Sequence, residues 1–235
     1  MKGEKIFDYS FIAVGLLVQV VTFYITNHLS PLTSQLSYIS LLSGCLGICS
    51  VCLASQGNIL TYAFGFAQVG TYMALVISKG LFGQIVLNSF YLITMIYGVY
   101  AWYKRLKGTR GKGLEVSGEG LTVTPRSLPL KAGVPILIAM IGLSYLVGWQ
   151  LSAHTPHPEP YLDAFTTVPA VVAQVLMILV YREHWFIWLA VDMLNIILWI
   201  RVGDYCMTAQ YVFWCANCLY GLRRWKTLTV SSEQP

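Results

Sequence analysis

Apolar residues in this chain run in blocks of about twenty, each closed by polar residues, glycine or proline, and eight such blocks emerge. They extend from Tyr9 to Thr26, Leu36 to Ser55, Ile59 to Ser78, Gly83 to Tyr103, Ala132 to Leu151, Leu162 to Tyr181, His184 to Val202 and Tyr205 to Leu222. A bilayer core of roughly 30 Å is crossed by an α-helix of about 20 apolar residues, so each block predicts one transmembrane helix. The second and third blocks, and the seventh and eighth, are joined by very short connections, which predict tight helical hairpins. The first ten residues mix Glu4 and Asp8 with lysines, and the block after them is long enough to span and stay, so no cleaved signal peptide is expected.

Composition agrees. Of 235 residues, 56% are hydrophobic and 11% charged, against about 25% charged in soluble domains, and mean hydropathy is +0.63. So few charges leave an apolar surface that must face lipid, which excludes a water-soluble enzyme. The net charge of +5 is modest and sits in short connecting segments, which excludes a nucleic-acid groove. With the N-terminus cytoplasmic and eight spans, all 15 basic residues except Lys79 and Arg201 fall on the cytoplasmic side, whereas Glu159, Asp163, Asp204, His154 and His157 fall outside. One helix more or fewer would scramble this positive-inside pattern. Both termini are therefore expected in the cytoplasm.

The chain also resembles itself. Phe90-Tyr91, Tyr97-Gly98 and Trp102 match Phe213-Trp214, Tyr220-Gly221 and Trp225 at an offset of 123. Upstream, an offset of 127 sets Gln56-Gly57-Asn58 near Arg182 to Trp185, Gln68 on Asn195 and Tyr72 on Trp199. The expected fold is an all-α polytopic membrane protein of eight transmembrane helices, with two parallel three-helix repeats joined by an inversion helix and one extra N-terminal helix. That divides the chain into an extra helix at 1–35, a first repeat at 36–105, a linker and inversion helix at 106–155, a second repeat at 156–227 and a tail at 228–235. A four-plus-four plan pairing spans one and five remains open. Residues 114–124 read as a small hairpin, and the basic linker reads as a topology determinant or as a contact for anionic headgroups.

Polar side chains inside a membrane are costly and mark sites. On the seventh span Trp185, Trp188, Asp192, Asn195 and Trp199 follow spacings of 3, 4, 3 and 4, one helical stripe. Asp192 is the one carboxylate placed deep in a span, with no intramembrane Lys or Arg to pair with it. Trp rings beside a carboxylate suit a flat ligand carrying delocalised positive charge. The repeat predicts an opposite wall of Gln68 and Tyr72 in span three and Gln84, Asn88 and Tyr91 in span four, to hydrogen-bond a ribose or a carboxamide, although single amides also serve as interhelical glue. Gln174 and Gln19 are weaker candidates. Cys45, Cys49 and Cys52, and Cys206, Cys215 and Cys218, read as packing, since no His or carboxylate joins them into a metal site. With no nucleotide-binding loop, no nucleophile beside a base and no relay of acids, neither catalysis nor a bound cofactor is expected.

The repeat endings together with Glu183-His-Trp-Phe-Ile-Trp-Leu-Ala-Val-Asp192 resemble the PnuC family of bacterial vitamin transporters, best known for nicotinamide riboside uptake. The resemblance spans nearly the whole chain and is most specific in the Trp-x-x-Trp stripe. It implies a SWEET-like three-plus-one-plus-three fold, a homotrimer with one path per protomer, and facilitated diffusion made unidirectional by cytoplasmic phosphorylation of the vitamin. It further implies that Trp185 and Trp188 flank the nicotinamide ring, with Asn195 and the amides of spans three and four on carboxamide and ribose. Thiamine, riboflavin and deoxynucleosides are carried by related members and stand as alternatives, as does a binding subunit of an ATP-driven importer. Trp188→Ala is expected to abolish binding, and Trp102→Ala to leave affinity nearly unchanged.

Overall fold

The computed structural model describes residues 2–29, 34–80, 82–111, 122–154 and 159–233. Among them are eight α-helices: α1 (Lys2–Leu29), α2 (Ser34–Ser55), α3 (Thr61–Ser78), α4 (Phe82–Gly111), α5 (Leu130–His154), α6 (Pro160–Ile178), α7 (His184–Val202) and α8 (Tyr205–Glu233). Two isolated β-bridges complete the regular structure. Six helices are long and apolar enough to cross a membrane; α3 and α8 are not among them. These two bury Gln68 and Tyr72, and Gln210 and Asn217, inside the bundle and away from lipid, and such polar residues dilute the apolar signal. The expected hairpin at 114–124 lies largely outside the described residues, as does His157.

α4 and α8 continue well beyond their apolar blocks, through the basic stretches at Lys104, Arg105 and Lys107 and at Arg223, Arg224 and Lys226. α3 and α7 stop where Gly80 and Gly203 take φ of +66° and +78°, and Gly203 N–H donates to the Ile200 and Trp199 carbonyls, closing the last turn of α7.

α2 packs on α3 and α8, α6 on α7 and α4, α1 on α2 and α8, and α5 on α6 alone. Of α5 only Ser144 and Gly148 are buried, so it turns apolar residues such as Ile138 and Leu146 outward. α1 is bracketed by polar contacts instead. Gln19 donates to the Cys206 carbonyl at 3.1 Å, a side chain at Gly44 would collide with Gln19, and Tyr220 donates to Asp8. Gln19 is thus interhelical glue rather than part of a site.

Local geometry recurs at a constant interval of 123 residues. Gly57 and Val180 have φ of +69° and +63° in the turns before α3 and α7. Trp102 Nε1 donates to the Met177 carbonyl at 3.4 Å, and Trp225 Nε1 donates to the Ala54 carbonyl at 3.1 Å. Tyr62 fills the space above Gly98 as Trp185 fills it above Gly221. The upstream offset is therefore 123 rather than 127: four residues is about one helical turn, so the shifted alignment kept the faces and lost the level. On this interval the counterpart of Tyr72 is Asn195, not Trp199.

The segment after the undescribed part of the linker ties the two turns together. Val123 N–H donates to the Gly57 carbonyl at 2.9 Å and Arg126 N–H to the Val180 carbonyl at 2.8 Å, while Arg182 N–H donates to the Arg126 carbonyl. Glu183 accepts from Leu128 N–H at 2.8 Å and from Ser127 at 3.1 Å. These bonds hold Val180, a β-branched residue with positive φ, in a backbone state that costs of order 1–3 kcal/mol.

At this end of the bundle Tyr62, Trp102, Trp185 and Trp225 pack with Ala54, Val123 and Val180. Trp102 and Trp225 are fully buried with ring centres 6.4 Å apart. Removing Trp102 would therefore empty a core position, a cost in stability that is separate from the expectation that ligand affinity stays nearly unchanged. At the other end Tyr72, Leu75, Val76, Trp199, Met207 and Tyr211 form a second cluster. Nearby, Asp204 caps α8 by accepting from Met207 N–H at 3.0 Å and takes a bond from Ser40 of α2.

Candidate functional site: a chamber between two aromatic clusters

Between the two clusters lies a cavity of about 130 Å³, roughly ten times the ~15 Å³ that a single water requires by the same kind of measure. It is a chamber rather than a packing fault. α2, α3, α4, α6, α7 and α8 line it, and neither α1 nor α5 contributes.

On α7 the 3-4-3 spacing brings Trp185, Trp188, Asp192 and Asn195 to the lining. Gln68 and Tyr72 from α3 join them, with Gln84, Asn88 and Tyr91 from α4. Trp199, the last member of the expected stripe, does not reach the chamber. It is fully buried, and Tyr72 stands edge-on against it at 5.8 Å. Gln174, a weaker candidate, does line the cavity.

The polar groups form two sets. In the first, Tyr72 OH contacts Tyr211 OH at 3.2 Å and donates to Gln84 Oε1 at 3.5 Å. Gln84 Nε2 donates to Asn195 Oδ1 at 3.4 Å, and Asn195 Nδ2 to the Val191 carbonyl at 2.9 Å. Asn88 Nδ2 donates to the Gln84 carbonyl at 2.7 Å. The second set surrounds Asp192, which is 2% exposed. Its Oδ2 accepts from Cys218 Sγ at 3.4 Å, while Oδ1 has no partner among the described residues. Asn217 Oδ1, Trp185 Nε1, Trp214 Nε1 and Tyr62 OH, all lining the chamber, are likewise buried without a bond there. Buried polar atoms are normally satisfied, so this concentration marks a surface that completes its bonds with a ligand or water.

The two tryptophans are held differently. Trp185 is 3% exposed, with ring centres 4.5 Å from His184 and 5.8 Å from Trp225. Trp188 is only partly buried, with Tyr91 tilted beside it at 6.1 Å. Trp188 therefore presents the more available ring face, and Trp185 forms a fixed wall behind.

Sequence reasoning missed the wall supplied by α8. Tyr211, Trp214 and Cys218 follow spacings of 3 and 4, and Asn217 adjoins them. The periodicity that found the α7 stripe applied equally, but Trp214 served only as a repeat marker and Cys218 was read as filler. Cys218 is instead, among the described residues, the side chain bonded to Asp192.

Residues 37–227 match the model of a family described as nicotinamide mononucleotide transporters. A nicotinamide riboside transporter PnuC from Neisseria mucosa is 32% identical over 200 residues, covering 82% of this chain and 73% of that one. The chain belongs to the PnuC family. The PnuC of Haemophilus influenzae is 28% identical over 230 residues, covering 97% and 93% of the two chains. The crystal structure of a vitamin B3 transporter PnuC superposes with a TM-score of 0.75 at 26% identity, covering 94% of this chain and 92% of that one. A riboflavin/roseoflavin transporter, RibM of Streptomyces davaonensis, is 26% identical over 187 residues, 72% of this chain and 82% of its own. PnuC membership makes this a multi-pass bacterial membrane protein of a transporter family. The PnuC match begins at α2 and ends within α8, so it takes in every helix that lines the chamber.

Proposed function

We propose that this protein carries nicotinamide riboside across the bacterial cytoplasmic membrane by facilitated diffusion. The carrying observation is one juxtaposition within the chamber. The partly open face of Trp188 lies one turn from Asp192, whose Oδ1 has no partner among the described residues, and the amides of Gln84, Asn88 and Asn195 lie with them on the lining. The pyridinium ring stacks on Trp188, its charge balanced by the carboxylate, while carboxamide and ribose exchange bonds with the Asn195–Gln84–Tyr72 chain and with Gln68, Asn88 and Tyr91. The names of the Neisseria and Haemophilus relatives support the substrate. Among the described residues no Lys or Arg lines the chamber, so they offer a phosphorylated product no clamp. Phosphorylation in the cytoplasm then traps the vitamin and gives uptake its direction.

The 123-residue recurrence supports an architecture in which α2–α4 and α6–α8 are parallel three-helix repeats, with α5 the inverting helix and α1 an addition; in this reading all eight helices span and, from the distribution of basic residues, both termini are cytoplasmic. The protein assembles as a homotrimer with one path per protomer. Native mass spectrometry of the detergent-solubilised protein tests that assembly.

Proteoliposomes test the function. Without ATP or an ion gradient, nicotinamide riboside is expected to equilibrate across the membrane in both directions, while thiamine and riboflavin stay where they were sealed. Riboflavin, named for the RibM relative, is neutral and leaves Asp192 without a counter-charge. Accumulation above the outside concentration would overturn facilitated diffusion and favour an energised importer. Equilibration of thiamine or riboflavin in place of the riboside would overturn the substrate.

A further inference from the structure

A second concavity lies outside the chamber, at the end of the bundle that carries the linker. Tyr97, Tyr100, Lys104 and Arg105 of α4, Arg126 of the linker and Leu179 after α6 form its walls, and none of the described residues that line it is acidic. Three cations from two separate segments therefore converge on one cleft. Arg126 is pinned at its edge: Nη2 donates to the Leu179 carbonyl at 3.0 Å, and the guanidinium lies over the Tyr181 ring at 4.8 Å. A guanidinium fixed in this way recognises phosphate with little further ordering.

The surface leading to the cleft narrows the ligand. Ile93, Ile96, Tyr97, Tyr100 and Lys104 follow helical spacings of 3, 1, 3 and 4 along α4, and Ile93, Ile96, Tyr97 and Tyr100 are among the most exposed large apolar side chains of the protein. The stripe passes from aliphatic to phenolic to cationic, the order met on going from acyl chains through the interface to headgroups. A free anion in water has no use for such an approach.

We propose that this cleft is a binding site for an anionic glycerophospholipid, its phosphate held by Lys104, Arg105 and Arg126 and its acyl chains lying along Ile93 and Ile96. The site is independent of the transported substrate. It meets the transport machinery through α4, whose earlier turns line the chamber, and through Arg126, whose backbone bridges the turn before α7.

The test uses the full-length protein in mild detergent, followed by native mass spectrometry and thermal unfolding. Phosphatidylglycerol, phosphatidylcholine and inorganic phosphate are the separate probes. Phosphatidylglycerol is expected to be retained and to raise the unfolding midpoint, and the other two are not. Removing two charges with Lys104→Gln and Arg105→Gln weakens retention about 25-fold, taking roughly fivefold per basic residue. Lys104 is exposed, so Lys104→Gln alone carries the test at about fivefold should the double variant misfold. Lys107→Gln, whose ammonium lies over Tyr103 outside the cleft, leaves retention unchanged. Equal retention of phosphatidylcholine, undiminished phosphatidylglycerol retention in the variants, or stabilisation by inorganic phosphate alone each overturns the lipid site.

Discussion

Asp192→Asn isolates the electrostatic part of the proposed recognition. Trp188 and Asp192 are four residues apart on α7 and both line the chamber, which sets their Cβ atoms about 5–6 Å apart. A pyridinium stacked on Trp188 then holds its charge about 5 Å from the carboxylate. At an effective dielectric constant of about 20 that attraction is on the order of 3 kcal/mol, or roughly 150-fold in Kd. Asparagine keeps the shape and can still accept from Cys218, so packing survives. Because the change also replaces a buried carboxyl group whose bonded partner among the described residues is a thiol, the substrate-free variant is expected to unfold at the same temperature or higher. Isothermal titration of the purified protein with nicotinamide riboside and with its uncharged dihydropyridine form gives the reading. The cation loses roughly 150-fold and the neutral form no more than about threefold. Equal losses for both ligands would refute the charge pairing, since only the cation has a counter-charge to lose.

Trp188→Ala removes the stacking face and is expected to weaken riboside binding by about 1–3 kcal/mol, measured by the same titration; Trp188→Phe retains most of the affinity, and a silent alanine variant would move the ring elsewhere in the chamber. Trp102→Ala and Trp225→Ala each vacate a fully buried position and leave a carbonyl without its indole donor, so each is expected to destabilise the protein by about 3–5 kcal/mol. A thermal melt in which one of the two is unaffected would break their equivalence. Gly221→Ala puts a methyl group 2.5 Å from Trp185 Cε2, which forces that ring to shift and costs about 1–3 kcal/mol of overpacking. Because Trp185 borders the chamber, riboside affinity is expected to fall in this variant, and unchanged affinity would remove Trp185 from the wall.

What the sequence made legible, and what it hid, follows from the reach of each signal. Apolar blocks report the thickness of the membrane, so they located the helices but not the basic turns by which α4 and α8 outrun it. Helical spacing reports a face. It correctly grouped Trp185, Trp188, Asp192 and Asn195, yet it extended the stripe to Trp199, because spacing says nothing about what stands in front. The side chain that does so, Tyr72, comes from another helix more than 100 residues away in sequence. The offset error has the same origin: a displacement of four residues is almost a full turn, so Gln68 and Tyr72 fell on the correct face under the wrong alignment. Level along the helix is settled by contacts between distant segments, such as Trp102 with Met177 and Trp225 with Ala54. Cys218 was hidden for a chemical reason. A lone thiol among apolar residues carries no pattern, and it becomes a hydrogen-bond donor to Asp192 only when α8 packs against α7.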